Sequence, residues 1–182
     1  IVTAGAWAGR LLADLSIPLE VVRKPILWHG VSGNEYDVTN GAPGFYFETT
    51  AHAFYGFPSL DGKTIKACEH TGGAVVDDPS QLDREIHPSD IEPVANFIRQ
   101  SMPGVQPAPA RHSMCMYTHT PDHHFIVDRH PQWPQVVIGA GFSGHGFKFT
   151  SVLGEALADL AVDGKTELPI GFLSLGREAL VK

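Results

Sequence analysis

The sequence predicts a mixed α/β (α+β) fold in which an α/β part, built from both ends of the chain, accompanies a mostly antiparallel sheet in the middle. Three observations carry this. Residues 136–164 read as a buried strand, a glycine-rich turn and a long helix. Residues 1–15 give the same strand, glycine, helix order. Residues 18–66 break into short β-rich pieces separated by Gly, Asn, Asp and Pro, as antiparallel sheet requires. With 182 residues, 43% of them hydrophobic, the chain can bury the core of one domain or of two small ones.

In chain order, residues 1–4 are expected to be a strand end, opening in mid-run as if a segment preceded them. Residues 5–15 follow as a helix carrying Trp7, Leu11, Leu12 and Leu15. The β pieces are 19–22, 25–28, 44–48 and 52–57. Ser89 or Asp90 is expected to cap a helix with Ile91, Val94, Ala95, Phe97 and Ile98 on its apolar face, and Pro93 falls in its first turn, where a missing N–H costs little. It ends near Met102-Pro103-Gly104. A Pro/Ala-rich connection, 103–110, leads to strands at 112–117 and 124–127. Val136, Val137 and Ile138 run into Gly139, and Val152, Leu153, Ala156, Leu157, Leu160 and Ala161 recur at helical spacing until Asp163-Gly164.

Composition excludes several function classes. Thirteen basic against twenty acidic residues give a net charge of −7 with no basic run, which argues against a nucleic-acid partner. No apolar run reaches membrane-spanning length, so no membrane partner is expected. Cys68 and Cys115 are too few for a disulfide scaffold and predict a reducing, cytoplasmic setting.

The glycine-rich turn holds Gly139, Gly141, Gly144 and Gly146. Glycines allow positive φ and close backbone approach at a helix N-terminus, so the turn suits an anion or a polarised heterocycle. Its first six residues match G-x-G-x-x-G, but a dinucleotide fingerprint also wants an acidic residue ending the next strand, about 20 positions on. Asp159 and Asp163 fall on the helix or at its end instead. Ser143, His145 and Lys148 add more polar chemistry than a pyrophosphate turn needs. A metal site at His112, Cys115, His119, His123 and His124 is weak, because spacing by four aligns ligands only on a helix and Pro121 intervenes. Gly62-Lys63-Thr64 and Gly164-Lys165-Thr166 fail as P-loops, since Phe57 and Asp159 stand where the first glycine belongs.

Several motifs carry a family resemblance in one order and spacing: Tyr55-Gly56-Phe57-Pro58 followed by Lys66 and His70, Cys115-Met116-Tyr117-Thr118, Asp122 through Asp128, and Gly141 through Phe149. Together they resemble the C-terminal half of the monomeric sarcosine oxidase and N-methyltryptophan oxidase family. The resemblance implies an FAD enzyme that oxidises secondary amino acids, with hydride passing to the flavin, electrons to O₂ and hydrogen peroxide as product. It implies a missing N-terminal half carrying the dinucleotide fingerprint. By this resemblance residues 1–17 and 111–182 are segments of an FAD-binding domain, the second with the flavin-attachment strand, and 18–110 the substrate domain.

The same resemblance implies roles. Cys115 carries the flavin through a thioether. Gly141, Gly144, His145 and Gly146 form the turn beside the flavin ring. Lys148 holds the substrate carboxylate, with Tyr117 and Gly144 lining the cavity; Lys66 activates O₂, with His70 and Tyr55 beside the substrate. No metal is implied. Where relatives often have Asn and Glu this chain has His119 and His123, and Ala67-Cys68-Glu69 replaces a glycine-containing link, departures that bear on substrate more than on chemistry. The rival expectation is a non-catalytic ligand-binding module that keeps the fold without flavin.

Overall fold

Period-two alternation in the middle of the chain builds a five-stranded sheet in the computed structural model, which describes residues 1–181. The strands are β1 (Glu20–Val31), β2 (Phe45–Glu48), β3 (Ala53–Phe57), β4 (Thr64–Glu69) and β5 (Val105–His119), in the order β2-β3-β4-β1-β5. The chain divides into two units: Ile1–Val22, Val75–Ser80 and everything from Met116 onward in one, Arg23–Ala74 and Gln81–Cys115 in the other.

In the unit formed by Arg23–Ala74 and Gln81–Cys115, Leu27, Phe54, Ile65 and Ala67 point to one sheet face and are buried against Val94, Phe97 and Ile98 of helix α2 (Pro88–Ser101). Phe54 stacks on Phe97 with centroids 4.4 Å apart. Burial of this kind contributes about 1.5–3 kcal/mol per large side chain and is what holds the helix to the sheet. Helix α2 starts earlier than expected. Pro88 takes its first position and the Asp90 carboxylate accepts from the His87 N–H at 2.9 Å, so Asp90 caps from inside the first turn and Pro93 lies in the second.

Three strand expectations are corrected. Pro25 does not interrupt β1, which runs unbroken for 12 residues. Residues 64–69 form a strand that is not among the four expected β pieces. The Pro/Ala-rich 103–110 is not a connection, since β5 begins at Val105 and runs for 15 residues. Pro107 and Pro109 are tolerated because β5 is the outermost strand, and prolines two apart place their missing N–H groups on one side of it.

In the other unit, β6 (Ile126–Arg129) pairs antiparallel with β7 (Val137–Ala140), and Val2 bridges Ile138 in parallel through bonds of 2.7 and 2.9 Å. One face, Val127 and Val137, is covered by Leu153, Ala156 and Leu157 of α3 (Thr150–Val162). The opposite face, Ile126, Ile138 and Ala140, is covered by Ala8, Leu12 and Leu180. A strand layer thus lies between two helical layers, the α/β part that the sequence predicts. The expected helix over 5–15 breaks into a 3₁₀ turn, the four-residue α1 (Ala8–Leu11) and a second 3₁₀ turn, closed by Ser16 at φ 49°. Gly5 and Gly9 weaken so short a helix. Among the described residues no helix is long and apolar enough to cross a membrane.

His29 on β1 is fully buried, its Nδ1–H donating to the Gln106 carbonyl at 2.9 Å, while Nε2 has no hydrogen-bond partner. Burial holds its pKa below the ordinary value. The unfolded chain therefore takes up a proton that the folded chain resists, so stability is full above about pH 6.5 and falls as pH drops towards the folded value. The expected result is a thermal midpoint that falls between pH 7 and 5 more steeply in wild type than in His29→Gln, the difference isolating this ring. Parallel curves would exclude it.

Candidate active site

The β3–β4 hairpin places Tyr55, Phe57, Lys66 and His70 on the sheet face turned away from α2. Phe57 pairs with Lys66 and Tyr55 with Cys68, and Lys66 also pairs with Trp28 on β1. The Lys66 ammonium lies 5.3 Å from the Tyr55 ring centroid and 5.4 Å from that of Phe57. It makes neither a hydrogen bond nor an ion pair among the described residues. The His70 ring stands edge-on to Tyr55 and Tyr46, at 6.1 and 5.7 Å. Gly56, between Tyr55 and Phe57, faces the α2 side instead, where a Cβ would run into the Lys66 carbonyl oxygen and the Phe45 ring. The expected catalytic trio of Lys66, His70 and Tyr55 is therefore brought together.

The two thiols differ in kind. Cys115 is exposed on β5. Cys68 is fully buried and accepts from the Leu27 N–H at 3.3 Å, and burial pushes its pKa up.

In the other unit, the glycine turn follows β7, and Gly141 and Gly144 have φ of +62° and +78°. Ser143, also at positive φ and 2% exposed, ties the turn down: its N–H donates to the Thr118 carbonyl at 2.9 Å and its Oγ to that of Gly141 at 3.1 Å. A Cβ on Gly144 would collide with the Tyr117 ring, so glycine alone lets the turn sit against that side chain. His145 donates from Nδ1 to the Ser143 carbonyl at 3.0 Å and packs on Phe125 at 4.8 Å. The N–H groups of Gly144 and Gly146 meet no acceptor among the described residues. The turn does not open directly on the helix as expected. A 3₁₀ turn, Phe147–Phe149, intervenes and carries the exposed Lys148, its Nζ 5.5 Å from the Phe149 ring centroid.

A family model described as FAD dependent oxidoreductase matches residues 1–160. The chain belongs to that family. It is 44% identical to monomeric sarcosine oxidase of an Arthrobacter species, over 99% of this chain and 47% of the relative. It is 36% identical to N-methyl-L-tryptophan oxidase of Yersinia pestis, over 97% of this chain and 47% of the relative. The chain therefore spans about half the length of these relatives. The fold is similar to that of NikD, an unusual amino acid oxidase, with a TM-score of 0.73 at 22% identity, over 94% of this chain and 46% of NikD.

For this FAD dependent oxidoreductase chain, the donor set fits a flavin. One unit offers unspent backbone N–H groups at Gly144 and Gly146, of use to a ring with carbonyl edges; the other, taken by itself, offers the exposed Cys115 thiol and the Lys66 ammonium. Among the described residues no group of three or more His, Cys, Asp or Glu is arranged to hold a metal. His119 and His123 instead meet edge-on at 4.7 Å. Phe57 and Tyr46 are the site-face residues that the sequence reading missed. Their signal was parity: Phe57 lies two residues from Tyr55, and Tyr46 faces Tyr55 across the β2–β3 ladder.

Proposed function

We propose that the complete protein oxidises a secondary, N-methylated amino acid in an FAD-dependent reaction, with O₂ as acceptor and imine and hydrogen peroxide as products. This chain supplies its C-terminal part, with residues 1–17 and 111–182 in the flavin domain and 18–110 in the substrate domain. The observation that carries the reading is the Lys66, Tyr55 and His70 group, a fixed cation among aromatic rings on one sheet face. FAD, when bound, accepts two electrons from the amine and returns them to O₂. Cys115 would hold it through sulfur, and the Gly141 to Gly146 turn through backbone N–H groups. Lys66 stabilises the anion that O₂ becomes on taking its first electron, as a pre-placed positive charge does without reorganising. Tyr55 and His70 give the amine an aromatic, partly polar-edged surface; Tyr117 is a further substrate contact, and Lys148 pairs with the substrate carboxylate.

An absorption spectrum and an anaerobic titration of the complete enzyme test this. Sarcosine or another N-methyl amino acid should bleach the flavin, and air should restore it with one peroxide per amine. A colourless protein that binds such a ligand unchanged would instead be the non-catalytic module.

Lys148 gives a sharper expectation. It makes no ion pair among the described residues, so its charge is available to a ligand. A charge-assisted ammonium–carboxylate contact contributes about 1.5–3 kcal/mol, so Lys148→Met should weaken a small carboxylate inhibitor roughly ten- to hundredfold. An uncharged amine should lose nothing. Equal dissociation constants for the carboxylate in both proteins, read from the flavin spectrum, would remove Lys148 from the site.

A further inference from the structure

A carboxylate is the commonest way to fix a lysine, but it cancels the charge that it fixes. Lys66 is fixed otherwise. Its ammonium lies within reach of two ring faces, at 5.3 Å from Tyr55 and 5.4 Å from Phe57, and has no carboxylate or hydrogen-bond acceptor among the described residues. The negative face of an aromatic ring attracts a cation through its quadrupole and leaves the net charge whole. The two rings are also edge-on to each other, centroids 6.5 Å apart at 85°, so they form two walls of an open-ended cradle. Phe57 is directly opposite Lys66 in the β3–β4 register, which places its ring there by strand geometry. It is 54% exposed, so it contributes little to the core, and burial does not explain an aromatic ring at this position.

We propose that Phe57 is a positioning residue that, with Tyr55, holds the Lys66 ammonium in place without neutralising it, leaving a full positive charge for the anion formed from O₂. The inference rests on the proposed oxygen role of Lys66 and deepens it.

The test uses the complete flavoenzyme with Phe57→Leu, Phe57→Trp and a fluorinated phenylalanine at position 57, which keeps the ring's shape while withdrawing charge from its face. One readout is the Lys66 side-chain resonance in ¹³C-lysine-labelled protein, assigned by its loss in Lys66→Met. The other is the rate at which pre-reduced flavin is reoxidised by O₂. In wild type the resonance should be shifted upfield by the rings. It should move towards its free-lysine position in Phe57→Leu and stay shifted in Phe57→Trp. Reoxidation should slow about two- to fivefold in the leucine and fluorinated proteins and recover with tryptophan. A resonance unmoved by Phe57→Leu, or a fluorinated protein reoxidised at the wild-type rate, would overturn the inference while leaving Lys66 in its role. If Lys66→Met itself reoxidises normally, the oxygen role fails, and the resonance alone decides whether the cradle exists.

Discussion

Cys115→Ala protein precipitated with acid is expected to leave its yellow flavin in the supernatant, whereas wild type carries the colour into the pellet. The effect is all-or-none because one thioether either exists or does not. Only one of the two thiols can supply it. Cys68 is fully buried, bonded to the Leu27 N–H and raised in pKa by that burial, so it offers little thiolate. Cys115 is exposed on a strand of a well-formed sheet. Removing its sulfur costs a surface group, within about 0.5 kcal/mol of no change in stability. Fold and non-covalent flavin binding should therefore persist, which circular dichroism and gel filtration of the yellow protein would verify. Colour in the Cys115→Ala pellet would place the attachment elsewhere.

Lys66→Met should slow reoxidation of the reduced flavin about a hundredfold or more while leaving reduction by the amine nearly untouched. Methionine matches the length of the lysine stem and removes its charge. A pre-organised charge aimed at a developing anion is worth about two to three powers of ten in rate. In the proposed role this ammonium acts on the anion formed from O₂, which the reductive half-reaction does not produce, so reduction is expected to lose little. Anaerobic stopped-flow measurement of reduction, followed by mixing with O₂, separates the two. Equal slowing of both steps would mean that Lys66 shapes the site generally rather than serving oxygen.

How much of this was legible depends on whether the signal was local. The turn at 139–146 could be read because positive φ calls for glycine, and α3 because its apolar residues recur on one face up to Asp163-Gly164. The Tyr55, Lys66, His70 grouping rested on family resemblance, although alternation along β3 and β4 would have placed Phe57 beside it. The strand at 105–110 was hidden for a physical reason. Proline opposes a strand everywhere except at the rim of a sheet, and which strand forms the rim is decided by tertiary order. The start of α2 was hidden too, because Asp90 caps from the third position and not from the boundary. The flavin role proposed for Cys115 has no local signature at all, since an isolated cysteine on a strand reads as a small apolar residue.

The longest strand of the sheet is also its outermost, and this raises a problem of colloidal rather than enzymatic kind. A 15-residue rim with all of its outward N–H groups unpaired would be a template on which another chain could add a strand and begin an aggregate. Pro107 and Pro109 withhold two donors from the same side, so an incoming strand meets a gap where two consecutive rungs should form. At the other rim β2 is only four residues long, too short to seed much pairing. The sheet can thus keep a broad, ring-lined face while both of its margins discourage growth, and the price of that protection is a sequence that hides its own strand.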